Sequence, residues 1–287
     1  MVGNSYTLKI KTADGKEYQS SSVLLRPTPD IDNVYAQYLP APIDGPSRIQ
    51  FYVDTSDPQN KTHFYRWEYE ETYEIKTPYE SKFYWVGGNA VTDRGVSVSD
   101  CWASDTSKNI LIETSTGLLE DKITSFPIHS VPAESQAMEV KYSLLVRQFS
   151  LSEKSYNFWN TLQKVNESQG TLFDIQPGEV TGNITSVTDP GLPVLGYFDA
   201  CEVKVKRAFF TPDLFDGYVP PMYASSCTDD NIFKVLAQDI GSVMQQYQNA
   251  FEILDIAPTA PPGYLLLPKP CCNCTGQGTN VKPPFWP

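Results

Sequence analysis

Residues 63–76 read His63-Phe-Tyr-Arg-Trp-Glu-Tyr-Glu-Glu-Thr-Tyr-Glu-Ile-Lys76. From Tyr65 onward, apolar and aromatic side chains alternate with charged and polar ones, and only Glu71 interrupts the alternation. Because successive side chains of a strand point to opposite faces of a sheet, one face of this strand is apolar and the other is charged. The pattern predicts a half-buried antiparallel strand.

Short apolar runs separated by turn residues continue this pattern on both sides of the strand. The turns are expected at Gly87-Gly88 and Thr116-Gly117. Further strands are expected at residues 48–53, 83–86, 109–113, 140–149, 194–210, 251–256 and 264–267. Many short strands with regular turn signals are typical of a sandwich, so the chain is predicted to be mainly β, an immunoglobulin/fibronectin-like antiparallel β-sandwich.

One amphipathic helix is expected at residues 152–167, with Ser152 as its N-cap. Its apolar stripe consists of Tyr156, Trp159, Leu162 and Val165. A second helix is expected within residues 230–250, although Gly241 is unfavourable in a helix interior. A helix with an aromatic stripe needs a sheet to cover, so the sandwich is predicted to carry one or two covering helices.

The chain is predicted to have two parts. Residues 1–27 are expected to form a hairpin that either packs on the strands that follow or is the terminal hairpin of an N-terminal β-domain that begins outside this sequence, because Met1 runs directly into a strand without the features of a signal peptide. Residues 28–287 are expected to form the main sandwich domain, with a C-terminal tail tied down by disulfides. The segment Arg26-Pro-Thr-Pro-Asp30 suits a linker between the two parts.

Composition excludes one class of partner. The 287 residues carry a formal net charge of −12 and a pI near 4.6, so a nucleic acid would be repelled over most of the surface. The chain contains no run of roughly 18 apolar residues, so no membrane-spanning helix is expected.

Six cysteines allow several kinds of site. The candidates for disulfides are Cys101, Cys227, Cys271, Cys272 and Cys274, and the pairing stays open because six cysteines pair in about 15 ways. Cys271 and Cys274 have the C-x-x-C spacing of zinc or redox sites, but a second ligand pair and a following helix are both missing. Disulfides that tie the tail to the loop at Cys227 are therefore expected, in an oxidising compartment.

The residue types that perform acid–base or metal chemistry are sparse. His63 and His129 lack a recognisable partner motif, and the carboxylates Glu68, Glu70 and Glu74 share one strand face, which is more typical of a solvated surface than of a glycosidase. The groups considered for calcium are Asp54, Asp57 and Asn60, and separately Asp213 and Asp216. Neither has the spacing of a known calcium loop, so no metal and no cofactor are predicted.

The aromatic stripe Tyr65, Trp67, Tyr69 and Tyr73 has two interpretations. If it is exposed, the rings form a platform for a sugar or another ligand, and these four residues are the ligand-binding candidates. If it is buried, the stripe is part of the core, which the charged opposite face of the strand favours.

The order and spacing of several motifs resemble a family of Bacteroidota outer-membrane lipoproteins, a domain of unknown function (DUF 4249) typically encoded beside TonB-dependent receptors. The motifs are His63 to Tyr73, Cys101-Trp102, Ser155-Tyr-Asn-Phe-Trp159, Gly170-Thr-Leu-Phe-Asp174, Pro177-Gly-Glu-Val-Thr-Gly-Asn183, Val194-Leu-Gly-Tyr-Phe198 and the C-terminal C-x-x-C followed by Lys282-Pro-Pro-Phe-Trp286. The resemblance spans nearly the whole chain. It implies an N-terminal lipid anchor that this chain lacks, and it carries over no catalytic residue.

The resemblance implies a non-enzymatic binding or accessory protein at the outer membrane or cell surface, lipid-anchored in the full-length protein, with a periplasmic orientation as an alternative. The expected partner is an outer-membrane TonB-dependent transporter, and the expected role is solute capture. The alternative is a glycan-binding or glycan-hydrolysing surface protein that uses the aromatic and carboxylate side chains of residues 63–76.

Overall fold

The structure is a computed structural model that describes residues 1–42, 45–168, 182–221 and 227–287. Its strands are, in chain order, β1 (Ser5–Tyr6), β2 (Lys9–Lys11), β3 (Glu17–Ser20), β4 (Val23–Leu24), β5 (Ile31–Leu39), β6 (Arg48–Ser56), β7 (Phe64–Lys76), β8 (Phe83–Gly87), β9 (Ala90–Asp93), β10 (Asp100–Thr106), β11 (Leu111–Thr114), β12 (Lys122–Pro132), β13 (Tyr142–Ser150), β14 (Ile184–Ser186), β15 (Val203–Phe210), β16 (Phe233–Leu236), β17 (Phe251–Ile256) and β18 (Gly263–Pro268). Its α-helices are α1 (Glu153–Ser168) and α2 (Ile240–Tyr247). The motif at residues 170–174 and most of the motif at residues 177–183 lie outside the described residues.

The main body is a sandwich of two antiparallel sheets, as predicted. One sheet has the order β12-β6-β5, and the other has the order β10-β7-β13-β15, with β11 also paired to β7. The largest core cluster lies between them and draws side chains from both, including Phe51 and Val53 from β6 and Leu144 and Val146 from β13. Strand β7 is the longest of the described strands, and its apolar face forms part of this core, which confirms the alternation read from residues 63–76.

The N-terminal residues form two small sheets, β1-β4 and β14-β3-β2. The hairpin of β2 and β3 matches the predicted one, but β14 joins it from 164 residues further along the chain, where Ile184 stands opposite Ser20. Arg26 forms a parallel bridge to Cys201. The segment before residue 28 is therefore held to the rest of the chain by strand pairing with residues 182–201.

A second, smaller core lies beside the sandwich. The sheet β16-β18-β17, the hairpin β8-β9 and helix α2 contribute to it, with Val235, Ile240, Met244, Ile253 and Leu266 at its centre. The helix predicted within residues 230–250 is shorter than expected, since only 240–247 are α-helical. Residues 233–236 form a strand instead because they pair with β18, a contact distant in sequence that overrides local helical spacing.

Helix α1 confirms the prediction for residues 152–167. The Oγ of Ser152 accepts a hydrogen bond from the backbone N–H of Ser155 over 3.0 Å, which is N-cap geometry. Phe158 is buried, whereas the residues of the predicted apolar stripe are half-buried. In the part of the chain that the structure describes, neither helix is long and apolar enough to cross a bilayer.

Two disulfides tie the tail down, as predicted. Cys101 pairs with Cys274, and Cys227 pairs with Cys271. Cys272 was a candidate for pairing, but its thiol is free and fully buried, and burial raises the pKa of this thiol to about 12. Its neighbour Cys271 takes the bond to Cys227, which leaves Cys272 as a small apolar core residue.

Candidate functional site

The face of the five-stranded sheet that points away from the sandwich core, called here the outer face, is covered at both ends. Helix α1 covers one end, where Trp159 lies over Arg66 with the guanidinium carbon 4.9 Å from the ring centre. The C-terminal tail covers the other end, where the indole N–H of Trp286 donates to Glu74 over 3.2 Å. Trp286 is buried there, and its ring packs edge-on against those of Trp102 and Phe209.

The structure places the aromatic stripe in the core rather than on the surface. Tyr65 and Trp67 are 0% and 1% exposed, so neither ring has a face that a ligand can reach. Tyr69 and Tyr73 are half-buried and pack against the same core. These four residues therefore do not form the exposed ligand platform that was one interpretation of the stripe. They lie on the inner face of β7, which the other sheet covers.

The carboxylates of the outer face are each committed to a partner within the protein. Glu68 pairs with Arg66 over 2.8 Å. Glu70 pairs with Arg147 over 3.1 Å and lies 3.7 Å from Arg207. Together with the bond between Glu74 and Trp286, these contacts form a network of structural pairs rather than two carboxylates that converge on a free space.

Glu71, the residue that interrupts the alternation of β7, points inward and meets His129 and Tyr142. The Nε2 of His129 is 3.0 Å from the Glu71 carboxylate, and the hydroxyl of Tyr142 donates to the same oxygen. Burial acts to raise the pKa of Glu71, but the hydrogen bonds from His129 and Tyr142 outweigh burial and hold it below its usual value. These groups form a buried structural cluster.

The second histidine lies beside a buried acid. The Nδ1 of His63 is 3.3 Å from the hydroxyl of Ser115 and 3.9 Å from Asp121. Ser115 donates to Asp121 over 2.5 Å, so the hydroxyl is already committed to the carboxylate. The same ring nitrogen faces both groups, and this geometry differs from a nucleophilic triad, in which the histidine bridges the serine and the acid through its two nitrogens.

Two of the acidic residues considered for calcium accept hydrogen bonds from the backbone: Asp54 lies in β6 and accepts from the N–H of Ser125, and Asp57 lies in the turn after β6. The carboxylate of Asp57 accepts backbone N–H bonds from Gln59, Lys61 and Thr62. Burial acts to raise the pKa of Asp57, but these hydrogen bonds lower it below the usual value. Within the described residues, no group of three or more histidine, cysteine, aspartate or glutamate side chains is arranged to hold a metal ion.

A cavity of about 440 Å³ opens between the outer face, helix α1 and the N-terminal sheet, and we call it the Arg66 cavity. Its walls come from segments far apart in sequence: β7, β13, α1, residues 197–203 and the N-terminal strands. The aromatic side chains in these walls are Tyr6, Phe149, Trp159, Tyr197 and Phe198. The volume lies in the range of small-molecule sites.

Arg66 is held flat at the junction of these walls. Its guanidinium carbon lies 4.5 Å from the ring centre of Phe149 and 4.9 Å from that of Trp159, and Nη1 donates to Glu68. Two rings and one carboxylate therefore fix the position of the charged group. The side chain nevertheless keeps 20% of its surface exposed.

The far wall of the Arg66 cavity carries an acid and a free thiol. Asp199 lies 3.9 Å from Arg26, and among the described residues neither Asp199 Oδ2 nor Arg26 Nη1 makes a hydrogen bond although both atoms are buried. Cys201 is half-buried and unpaired. Burial raises the pKa of the Cys201 thiol to about 11, and Asp199 adds to the shift, so the thiol is neutral at physiological pH.

A larger cavity of about 820 Å³ lies on the other side of Tyr197, which lines both cavities. Its lining is rich in amide and hydroxyl groups, from Gln19, Asn157, Thr161, Asn183 and Thr185. Phe158 and Tyr197 add two aromatic rings, with their centres 5.3 Å apart. The two cavities therefore differ in chemistry, one being charged and ring-lined and the other polar.

The Arg66 cavity has no signature in the local sequence pattern. Arg66 lies in β7, where the alternation of side chains indicates only that it belongs to the charged outer face. Trp159 and Tyr197 lie in motifs that carried the family resemblance, which was the one available signal. Nothing in the sequence indicated that residues 66, 159 and 197 would meet.

Comparison with known proteins identifies a family that the chain matches. The profile of a family described as a domain of unknown function (DUF4249) matches residues 1–207. The match covers the N-terminal sheets, helix α1 and the sandwich as far as residue 207 within β15, whereas the expected resemblance extended to the C-terminal tail. No curated protein and no solved structure matches the chain.

Proposed function

This chain belongs to the DUF4249 family, and from that premise we propose that it is a non-enzymatic binding or accessory protein of the cell envelope. Its role is to capture a small solute for an outer-membrane TonB-dependent transporter. The observation that carries the proposal is the Arg66 cavity, in which a fixed cation and five aromatic side chains surround a space suited to a small molecule.

The state of the outer-face carboxylates supports binding over hydrolysis. A glycosidase needs two carboxyl groups that face a shared space across the scissile bond. Glu68 and Glu70 instead bond to arginines of the same sheet, and Glu74 bonds to the tail. Turnover of a glycan at this face would require these pairs to open.

The two disulfides support a location in the cell envelope. Disulfides persist in oxidising compartments such as the periplasm and the cell surface, and they are rare in the reducing cytosol. Both bonds fasten the C-terminal tail to distant parts of the chain, Cys274 to β10 and Cys271 to the loop at Cys227. The folded form with both bonds thus suits an extracytoplasmic protein.

The partner is tested by affinity purification. The full-length protein, tagged at a surface position, is extracted from its own outer membrane in mild detergent, and co-purifying proteins are identified by mass spectrometry. The proposal expects a TonB-dependent receptor in amounts comparable to the tagged protein, and none with the tag alone. Recovery of the tagged protein without a receptor, at a detergent concentration that keeps other outer-membrane complexes intact, contradicts the transporter partnership.

The larger cavity favours one alternative, glycan binding. Amide and hydroxyl side chains beside two aromatic rings are the groups that recognise sugar hydroxyls and sugar faces. This site lies apart from residues 63–76, the stretch for which the sequence suggests glycan binding as the alternative. A glycan array probed with wild type and with Asn157→Ala tests it: binding that the substitution removes supports the alternative, and an array without signal contradicts it.

A further inference from the structure

The walls of the Arg66 cavity specify a class of ligand. We infer that the cavity binds a small solute with one anionic group, such as a carboxylate, attached to a flat apolar body. This inference rests on the binding half of the proposed function and adds the chemistry of the solute. It assigns Arg66 as the anion-binding residue and the surrounding rings as the contact for the apolar part.

The preference for a flat apolar body follows from the aromatic walls. Phe149 and Trp159 lie against Arg66 from β13 and α1, while Tyr197 and Phe198 come from the segment that leads to β15. Aromatic faces stack well on planar groups, and such contacts add to the gain from burying apolar surface. A ring or another flat unit fills such a space with more contact than a flexible chain of the same size.

The preference for an anion follows from the unused donors of Arg66. A guanidinium carries five N–H donors in a planar fork that matches a carboxylate. In the described residues, Arg66 bonds only through Nη1, to Glu68, so the donors on Nε and Nη2 are available. The rings that pack on the guanidinium hold it in place, which reduces the entropy lost when a ligand binds.

The limit of one anionic group follows from Asp199. Its carboxylate lines the same cavity as Arg66 and is 85% buried, given a side-chain exposure of 15%. A second negative charge on the solute would approach this acid in a partly desolvated space, where repulsion is strong. The cavity is therefore matched to a monoanion, oriented with its charged end toward Arg66.

The test uses three probes that separate charge from shape: benzoate, benzyl alcohol and acetate. Binding to the full chain is measured by ligand-observed NMR titration. Benzoate is expected to bind more tightly than benzyl alcohol, which has the ring without the charge, and more tightly than acetate, which has the charge without the ring. The ordering among the three probes in wild type is itself decisive and needs no variant.

Two variants test whether Arg66 is the residue that binds the anionic group. Arg66→Met is expected to weaken benzoate binding at least about tenfold, the effect of losing a charged hydrogen bond, and to change benzyl alcohol binding less than about twofold. Arg147→Met is the matched control, since Arg147 lies on the same sheet face, pairs with a glutamate in the same way and does not line the Arg66 cavity. It should leave benzoate binding unchanged, and thermal melts confirm that both variants fold.

Benzoate binding no tighter than benzyl alcohol in wild type overturns the inference, as does an equal loss in Arg66→Met and Arg147→Met. If Arg66→Met fails to fold, Trp159→Leu takes its place and should weaken benzoate and benzyl alcohol together. The outcomes also separate this inference from the proposed function. If a receptor co-purifies but benzoate does not bind, only the inference about the class of ligand is contradicted. If benzoate binds but no receptor co-purifies, only the proposed transporter partner is contradicted.

Discussion

Trp67 donates its indole N–H to the side-chain oxygen of Gln148 over 2.8 Å, and the two residues stand opposite each other in the register of β7 and β13. They are 1% and 0% exposed. The amide nitrogen of Gln148 then donates to Thr55 on the facing sheet and to the carbonyl of Pro29. One polar relay therefore crosses the sandwich core, and each member of it depends on the next.

Replacing Trp67 by Phe is expected to destabilise the protein by about 2–4 kcal/mol, because the change removes buried volume and leaves the Gln148 oxygen without its donor. Urea unfolding followed by circular dichroism measures the loss. The control is Trp159→Phe, at a half-buried position, where the cost should stay below about 1 kcal/mol. Similar losses in the two variants would contradict the role given to the relay.

Glu71 should make stability depend on acid pH. Its pKa in the folded protein lies below the usual value, so the fold favours the ionised form. This contribution is complete above the unfolded pKa, about 4.3, and is lost as the pH falls through the lower folded pKa. Unfolding free energies from pH 7 to pH 3 should show that Glu71→Gln costs about 1–3 kcal/mol at neutral pH and progressively less in acid.

The control for this pH series is Glu134→Gln, at an exposed position on the loop after β12. Its curve should run parallel to the wild-type curve, within about 0.5 kcal/mol throughout. The difference in unfolding free energy between wild type and Glu71→Gln should shrink as the pH falls. If it stays constant down to pH 3, the cluster with His129 and Tyr142 does not stabilise the ionised form of Glu71.

Gly241 in helix α2 is required for close packing. A Cβ at this position would lie 2.4 Å from the carbonyl oxygen of Gly88 and 2.6 Å from the side-chain oxygen of Asn89. Gly241→Ala is therefore expected to cost about 1–3 kcal/mol, even though alanine favours a helix over glycine. The matched control is Gly276→Ala, where a Cβ meets nothing within 4 Å. Thermal denaturation of both variants tests this, and equal melting temperatures would refute it.

The two disulfides should differ in their contribution to stability. Cys101–Cys274 closes a sequence separation of 173 residues, and Cys227–Cys271 closes one of 44. The longer loop restricts the unfolded chain more, by about 1.2 kcal/mol in the chain-entropy model. Replacing both cysteines of each pair by alanine and comparing urea unfolding measures the difference. A larger loss for the shorter loop would show that native-state contacts at Cys227–Cys271 dominate over loop closure.

The features that local pattern encodes were predictable. The alternation from Tyr65 to Ile75 identified β7 and its two faces, and the N-cap Ser152 with the spacing of the aromatic residues located helix α1. The prediction of a helix at residues 233–236 was wrong because the spacing of their apolar side chains fits a helix, whereas their pairing with β18 makes them a strand. Tertiary pairing of this kind leaves no local trace in the sequence.

The candidate site was not predictable for the same reason. Arg66, Phe149 and Trp159 belong to three different elements, and their contact depends on the register of β7 against β13 and on where α1 crosses the outer face. The pairing of the cysteines could not be predicted either, because it also depends on contacts between distant parts of the chain. The tail was expected to be held by cysteines, yet the choice of Cys271 over Cys272 depends on side-chain directions that sequence spacing leaves open.

The second core has a consequence for the order in which the chain folds. Val91 in the hairpin β8-β9 packs against the cluster that contains Val235, although the two residues lie in distant parts of the chain. Contacts this distant in sequence form late, because closing a long loop costs more entropy than closing a short one. Phe83 and Trp85 are therefore expected to stay exposed to solvent until the strands near the C-terminus dock against them.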